Sequence, residues 1–213
     1  FISGIYEDKD GLLWIGTVYD GLNIIDRKNN KVTRINSKQD YEGELTIDNN
    51  MIRDITGIDN EVWIGTEGSL NKYDKDTGKI TSYGEKDGLK CSDVRTLKID
   101  SDGVLWIGTL NGLFSFDRKG KFTDYSKILN DAGIKCLEFR YIYEDVDGFL
   151  WMSTGVENGL IRFNKNDNKI KTYNIFNMYK SNNNYGLILT INSDNKGNIW
   201  VGTTTGLNKI DVE

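Results

Sequence analysis

Histidine is absent from all 213 residues. Its absence removes the commonest general base and the commonest metal ligand, and excludes triads built on imidazole. Proline is also absent, so no strand ladder loses a donor to a pyrrolidine ring. There are two cysteines, Cys91 and Cys136. No Cys/His spacing surrounds them, which excludes zinc. Both lie 15 residues before a tryptophan. Such equivalent positions in neighbouring repeats stand too far apart for a disulfide, so two free thiols are expected. No apolar run is long enough to span a bilayer, and no signal peptide opens the chain; a chain that begins inside a strand would carry none. Basic residues do not dominate, with 27 Lys and Arg against 32 Asp and Glu, a net charge of −5. Without a basic stripe, nucleic-acid binding is not expected. No segment of useful length spaces its apolar residues at three and four, so no long helix is expected.

What the chain does have is a repeat. All five tryptophans, Trp14, Trp63, Trp106, Trp151 and Trp200, sit in nearly the same phrase, Leu-Trp-Ile-Gly-Thr or a close variant, 43–49 residues apart. A period in this range signals stacked supersecondary units. The third copy reads most clearly. Residues 94–100, 104–109, 113–117 and 121–126 form four short strands joined by turns rich in Asp, Asn and Gly. Four antiparallel strands in a meander make a propeller blade. The predicted fold is therefore all-β, a β-propeller of four-stranded antiparallel blades. Five blades are present, at about 1–50, 51–93, 94–136, 137–186 and 187–213. In each, the Trp is expected to fill the wedge between sheets, the following Gly to leave room for the neighbour, and the Thr to close a strand. The first residue already lies in an innermost strand and the fifth repeat ends on its third. The expectation is a fragment of a larger propeller, the lesser alternative a five-bladed ring with one three-stranded blade.

Candidate chemistry is positional. Arg95 and Arg140 each stand 11 residues before their Trp; Arg53 stands 10 before its own, after a turn one residue shorter. Three consecutive blades thus present Arg at one level, near the mouth of a central channel, where guanidinium groups attract a carboxylate or another anion. The competing reading pairs each Arg with a neighbour such as Asp54 or Asp93. Loops on the same face add Tyr19, Asp20, Glu67, Asn111, Glu157, Asn158 and Tyr185, residues suited to stacking on and hydrogen bonding a hydroxylated ligand. The Asp-x-Asp-Gly turns at Asp8, Asp100 and Asp145 open like a calcium loop but lack its bidentate Glu, so turn formation is their expected role. No metal, cofactor or catalytic residue is expected.

Each repeat reads apolar–Arg–x–apolar–x–x–Asp–x–Asp–Gly–x–Leu–Trp–Ile–Gly–Thr–x–x–Gly–Leu–x–x–x–Asp, approximately. This resembles the two-component regulator propeller repeat across essentially the whole chain. The second copy departs, with Ile58-Asp59-Asn60-Glu61 lacking one turn residue and the glycine; the fourth substitutes Met152-Ser153. The resemblance implies a seven-bladed complete unit in the extracytoplasmic region of a membrane-anchored bacterial receptor. It implies a non-enzymatic sensor of a ligand, commonly a carbohydrate, that passes its signal to an output domain. The alternatives are a structural or interaction propeller that docks another domain or self-associates through open blade edges, and, less expected, a carbohydrate-active enzyme.

Overall fold

The computed structural model describes residues 1–37, 45–90, 93–135, 137–154, 159–173 and 187–210. Five antiparallel sheets follow one another along the chain. The first contains β1 (Ile2–Glu7), β2 (Leu12–Thr17), β3 (Leu22–Asp26) and β4 (Lys31–Ile35). The second contains β5 (Ile52–Ile58), β6 (Glu61–Thr66), β7 (Leu70–Asp74) and β8 (Lys79–Tyr83). The third has β9 (Val94–Ile99), β10 (Leu105–Thr109), β11 (Leu113–Phe116) and β12 (Phe122–Asp124). The fourth has β13 (Tyr141–Glu144), β14 (Leu150–Ser153), β15 (Leu160–Phe163) and β16 (Ile170–Tyr173). The fifth, among the described residues, has β17 (Ile188–Ser193), β18 (Ile199–Thr203) and β19 (Gly206–Ile210). Every sheet is a meander, and successive sheets touch through their first strands, β1 to β5 to β9 to β13 to β17. That is the blade order of a propeller.

The predicted strand at 121–126 is shorter than expected. It ends at Asp124, and a helix α1 (Ser126–Asp131) follows, with Leu129 buried in the junction of the third and fourth sheets. Six residues carry too few apolar positions to show a helical period.

One turn repeats almost atom for atom. The Asp8 carboxylate accepts the backbone N–H groups of Asp10 (2.9 Å) and Leu12 (3.0 Å), and its second oxygen accepts the Trp14 indole N–H at 3.0 Å. Asp100, Asp145 and Asp194 take Trp106, Trp151 and Trp200 in the same way, at 2.8, 2.7 and 3.0 Å. The Asp therefore builds the turn and seats the indole, which confirms the turn role expected of it. For Asp194, the bond from Trp200 and those from Asn198 hold the carboxyl well below its ordinary range.

The second sheet breaks this pattern. Six residues before Trp63 stands Gly57, where a Cβ would come within 2.7 Å of the Tyr6 ring. No carboxylate fits there, and the buried Trp63 indole N–H has no acceptor among the described residues. An unpaired buried donor costs about 1–3 kcal/mol. Replacing Trp by Phe removes a satisfied N–H at position 106 and an unsatisfied one at 63. Trp106→Phe should therefore cost about 2 kcal/mol more than Trp63→Phe. Urea midpoints of the two variants measure this; equal losses would show that the indole bond contributes nothing.

In the first three sheets, the glycine two residues after the Trp is explained by the next sheet. A Cβ on Gly16 would lie 2.4 Å from Ile52, on Gly65 2.7 Å from Val94, and on Gly108 2.8 Å from Phe139. At these three junctions the start of the following sheet seats against the glycine, Phe139 lying just ahead of β13, whereas Gly202 faces Thr190 of its own sheet.

Candidate functional site

The arginines of interest sit on a recurrent irregularity. Between β1 and β2, β5 and β6, β9 and β10, and β17 and β18, the pairing register slips near the start of the first strand. One residue is left out of each ladder: Ser3, Arg53, Arg95 and Leu189. Arg140 lies at the corresponding place, just ahead of β13. A β-bulge re-aims the extra side chain and commonly borders functional sites. The signal for it is legible in the residues. Apolar side chains stand three apart, as in Ile52 and Ile55, Val94 and Leu97, or Phe139 and Ile142, where an unbroken strand would space them by two or four.

At this level the guanidinium groups have carboxylate partners. Asp93 lies between two arginines, 2.7 Å from Arg95 Nη2 and 3.7 Å from Arg53 Nε. Arg53 also reaches Glu67 at 3.3 Å. Arg140 meets Glu138 at 2.6 Å and is the most exposed of the three, at 42% against 24% for Arg53 and 19% for Arg95. Of the two partners anticipated for these arginines, Asp93 fills the role. Asp54 does not. It turns into the junction of the second and third sheets, where one oxygen accepts the Leu97 N–H at 2.8 Å and the Thr96 hydroxyl at 3.2 Å. Burial pushes its carboxyl up to about 6 against the lowering effect of these bonds.

The arginine–carboxylate array is thus balanced in charge, yet some of its hydrogen-bonding capacity is unused. The Nε atoms of Arg53 and Arg95 are buried and have no hydrogen-bond acceptor among the described residues.

The loops beside the array are pinned by the repeated threonine. Thr17 Oγ1 donates to the Gly21 carbonyl at 3.0 Å and accepts the Asp20 N–H at 2.9 Å. Thr66 and Thr109 donate to Ser69 (2.9 Å) and Gly112 (2.8 Å), and Thr109 also accepts the Asn111 N–H at 3.2 Å. Tyr19 is largely exposed. The structure therefore links Arg53 to Arg95 through Asp93, with Glu67 on Arg53, whereas Tyr19, Asp20 and Asn111 stand on other loops. Glu157, Asn158 and Tyr185 lie outside the described residues, as do Cys91 and Cys136. Glu138 was not anticipated; like Asp93, it stands two residues ahead of its Arg.

Among the described residues no group of acidic or thiol side chains is arranged to hold a metal ion, and no helix is long and apolar enough to cross a membrane.

Comparison with known proteins agrees with this architecture. The family model described as "Two component regulator propeller" matches residues 1–19 and 88–111, which hold the first and third Trp phrases. No curated protein matches the sequence. Among solved structures, the chain is similar to an extracellular domain assigned to a hybrid two component system, BT3049, from B. thetaiotaomicron. That match has a TM-score of 0.81 at 24% identity and covers 100% of this chain and 29% of that one. It is similar to a second extracellular domain from B. thetaiotaomicron, assigned to a one component system, BT4673, with TM-score 0.56 and 19% identity over 99% of this chain and 35% of that one. It also resembles a catalytically inactive form of virginiamycin B lyase from Staphylococcus aureus, with TM-score 0.69 and 18% identity over 99% of this chain and 70% of that one. The chain spans about a third of the length of the two bacterial extracellular domains it matches.

Proposed function

We propose that this chain, which carries two-component regulator propeller repeats, is a non-enzymatic ligand-sensing module in the extracytoplasmic part of a bacterial signalling receptor. The observation that carries the reading is the row of three arginines, Arg53 and Arg95 in β-bulges and Arg140 just ahead of β13, each held against a carboxylate. A bare arginine cluster would favour a simple anion. Here the carboxylates offset the charge, and the array stays open to solvent at a guanidinium, Arg140 (42% exposed), and at a carboxylate, Glu67 (43%). Such a surface suits a ligand that both donates and accepts hydrogen bonds. Carbohydrate hydroxyls do this, so a sugar is favoured over a simple anion. The loop residues Tyr19, Asp20, Glu67, Asn111, Glu157, Asn158 and Tyr185 are proposed as the walls of that site. The signal would pass to an output domain of the same receptor, and the five sheets are read as part of a larger, seven-bladed propeller.

Similarity to virginiamycin B lyase does not extend the proposal to catalysis. That protein is named an enzyme, and the form matched is described as inactivated by replacement of a histidine; this chain has no histidine.

Thermal-shift screening of oligosaccharides and simple anions tests the reading. A glycan that binds should raise the melting temperature, because ligand held only by the folded state stabilises it, by about 2.7 kcal/mol at a hundredfold excess over Kd. Arg95→Ala should abolish that rise. A simple anion that stabilises as well as any glycan would overturn the choice of ligand class, and turnover of a glycan would overturn the non-enzymatic reading.

A further inference from the structure

The outermost strand of the first sheet carries charge of one sign. Residues 27–36 hold four basic side chains, Arg27, Lys28, Lys31 and Arg34, and no acidic one, in a chain whose net charge is −5. Arg27 pairs with Glu7. Lys31 and Arg34 are exposed on β4 and have no carboxylate partner among the described residues. In the third and fourth sheets, cations at this position are engaged. Lys90 contacts Asp124 at 3.2 Å, Lys169 contacts Asp167 at 2.9 Å, and Lys171 lies over the Tyr173 ring at 5.0 Å.

β4 is also a sheet edge. It pairs with β3, from Lys31 opposite Asp26 to Ile35 opposite Leu22, and with no other strand among the described residues. One side of its backbone is therefore unpaired over these positions. Past Ile35 the chain is engaged: the Ile47 N–H donates to the Asn36 carbonyl at 3.2 Å, and Ser37 forms a parallel bridge with Ile47. Along the open stretch runs a groove of about 700 Å³, lined by Lys31, Val32, Thr33, Arg34 and Asn36. Successive side chains of a strand point to opposite faces of its sheet. Lys31 and Thr33 thus project on one face and Val32 and Arg34 on the other. A groove lined by both sets follows the edge of the strand.

We infer that this edge binds an extended acidic segment of another protein chain, added as a fifth strand with carboxylates against Lys31 and Arg34. The unpaired backbone supplies the hydrogen bonds of strand addition, and the side chains beside it set the specificity. The spacing of the cations selects a peptide. Three residues apart, they stand on opposite faces of the sheet. An added strand directs its own side chains to both faces, so two acids three residues apart meet both cations. A polyanion lying on one face would reach only one of them. A second copy of β4 is disfavoured at the same edge, because antiparallel pairing would set Lys31 of one copy against Arg34 of the other.

The test titrates the full chain with a capped synthetic peptide, Thr-Glu-Thr-Val-Glu-Thr. Its glutamates stand three apart, and its β-branched residues favour an extended backbone. Binding should slow amide hydrogen exchange in β4 at least about threefold at saturation. Reversing both cations, Lys31→Glu with Arg34→Glu, should weaken binding about tenfold, because each reversal turns an exposed attraction into a repulsion. The melting temperature should move by less than about 3 °C, both side chains being on the surface. The peptide with Gln in place of both Glu should lose a similar factor without any change to the protein. N-methylation distinguishes strand addition from charge attraction alone. Of two adjacent peptide amides only one faces β4, so methylating one should weaken binding at least about fivefold more than methylating the other. Equal effects of the two methylations would overturn the added strand. No binding at millimolar peptide would also overturn the proposal, and the cations would then serve only to keep other strands off the edge. So would a sulfated polysaccharide that binds more tightly than the peptide and is lost in the double variant.

Discussion

Trp151→Ala should cost about 4 kcal/mol, the loss expected for a fully buried indole, and lower the melting temperature by roughly 8–16 °C for a chain of this size. Three contributions converge. The ring lies at the junction of the fourth and fifth sheets, packed with Ile188, Ile191 and Val201 from the facing side. It stacks on Tyr173 with ring centroids 5.0 Å apart. Its N–H donates to Asp145 at 2.7 Å, and without it that carboxylate oxygen keeps only the Arg162 contact at 3.5 Å. Arg162 is itself held over the Phe149 ring at 3.6 Å, so the turn would loosen with the indole. Trp200→Ala provides the control. Trp200 makes the same bond to Asp194 but is only partly buried, on a face that no described sheet covers. It should cost less than half as much, because the area removed from contact is smaller. Urea denaturation with an unchanged m-value measures both. Equal losses at the two positions would mean that the indole acts through its own turn and does not join one sheet to the next.

That contrast shows what a repeat makes legible. The Trp phrase located β2, β6, β10, β14 and β18, and the Asp, Asn and Gly between phrases located the turns, because strand and turn chemistry is local. The roles of the glycine and threonine also followed from position. What escaped was the contact between sheets. Lys75 meets Asp8 across 67 residues and Lys165 meets Asp100 across 65; nothing in either neighbourhood announces the other. Lys165 shows the consequence. Burial would lower its ammonium, but hydrogen bonds to Glu144, Asp102 and Asp100 outweigh that and raise it. The arginine row was visible because it repeats, yet its carboxylate partners were only half anticipated. Asp54 and Asp93 look equally available beside Arg53 and Arg95 in a linear chain. The bulge decides between them, by turning Arg53 out of the ladder and leaving Asp54 in it.

Asp54 carries the second large effect, a loss of stability as pH rises from about 4 to about 6. Its carboxyl titrates near 3.8 when the chain is unfolded and at about 6 when folded, burial being the dominant cause. The folded state therefore holds a proton that the unfolded state has released, and stability rises with pH only where the unfolded state binds more protons. Asp54 works in the opposite sense. Its stabilising contribution is complete below pH 3.8, declines across the window between the two values, and is gone once the folded group has ionised. A gap of about two pH units corresponds to at most about 3 kcal/mol. The residue keeps a partial opening at its surface, so water reaching the carboxylate lowers that ceiling. Many surface carboxylates of this chain, Asp26 and Asp74 among them, are held below their ordinary range by local hydrogen bonds, and they give the whole protein the opposite slope. The measurement must therefore be a difference. Between pH 4 and pH 7, the parent chain should lose about 2 kcal/mol relative to Asp54→Asn, whatever the fixed cost of the substitution at any one pH. Parallel profiles for the two proteins would show that Asp54 ionises as freely inside the junction as it does in water, and that its bonds to Leu97 and Thr96 fully replace its hydration.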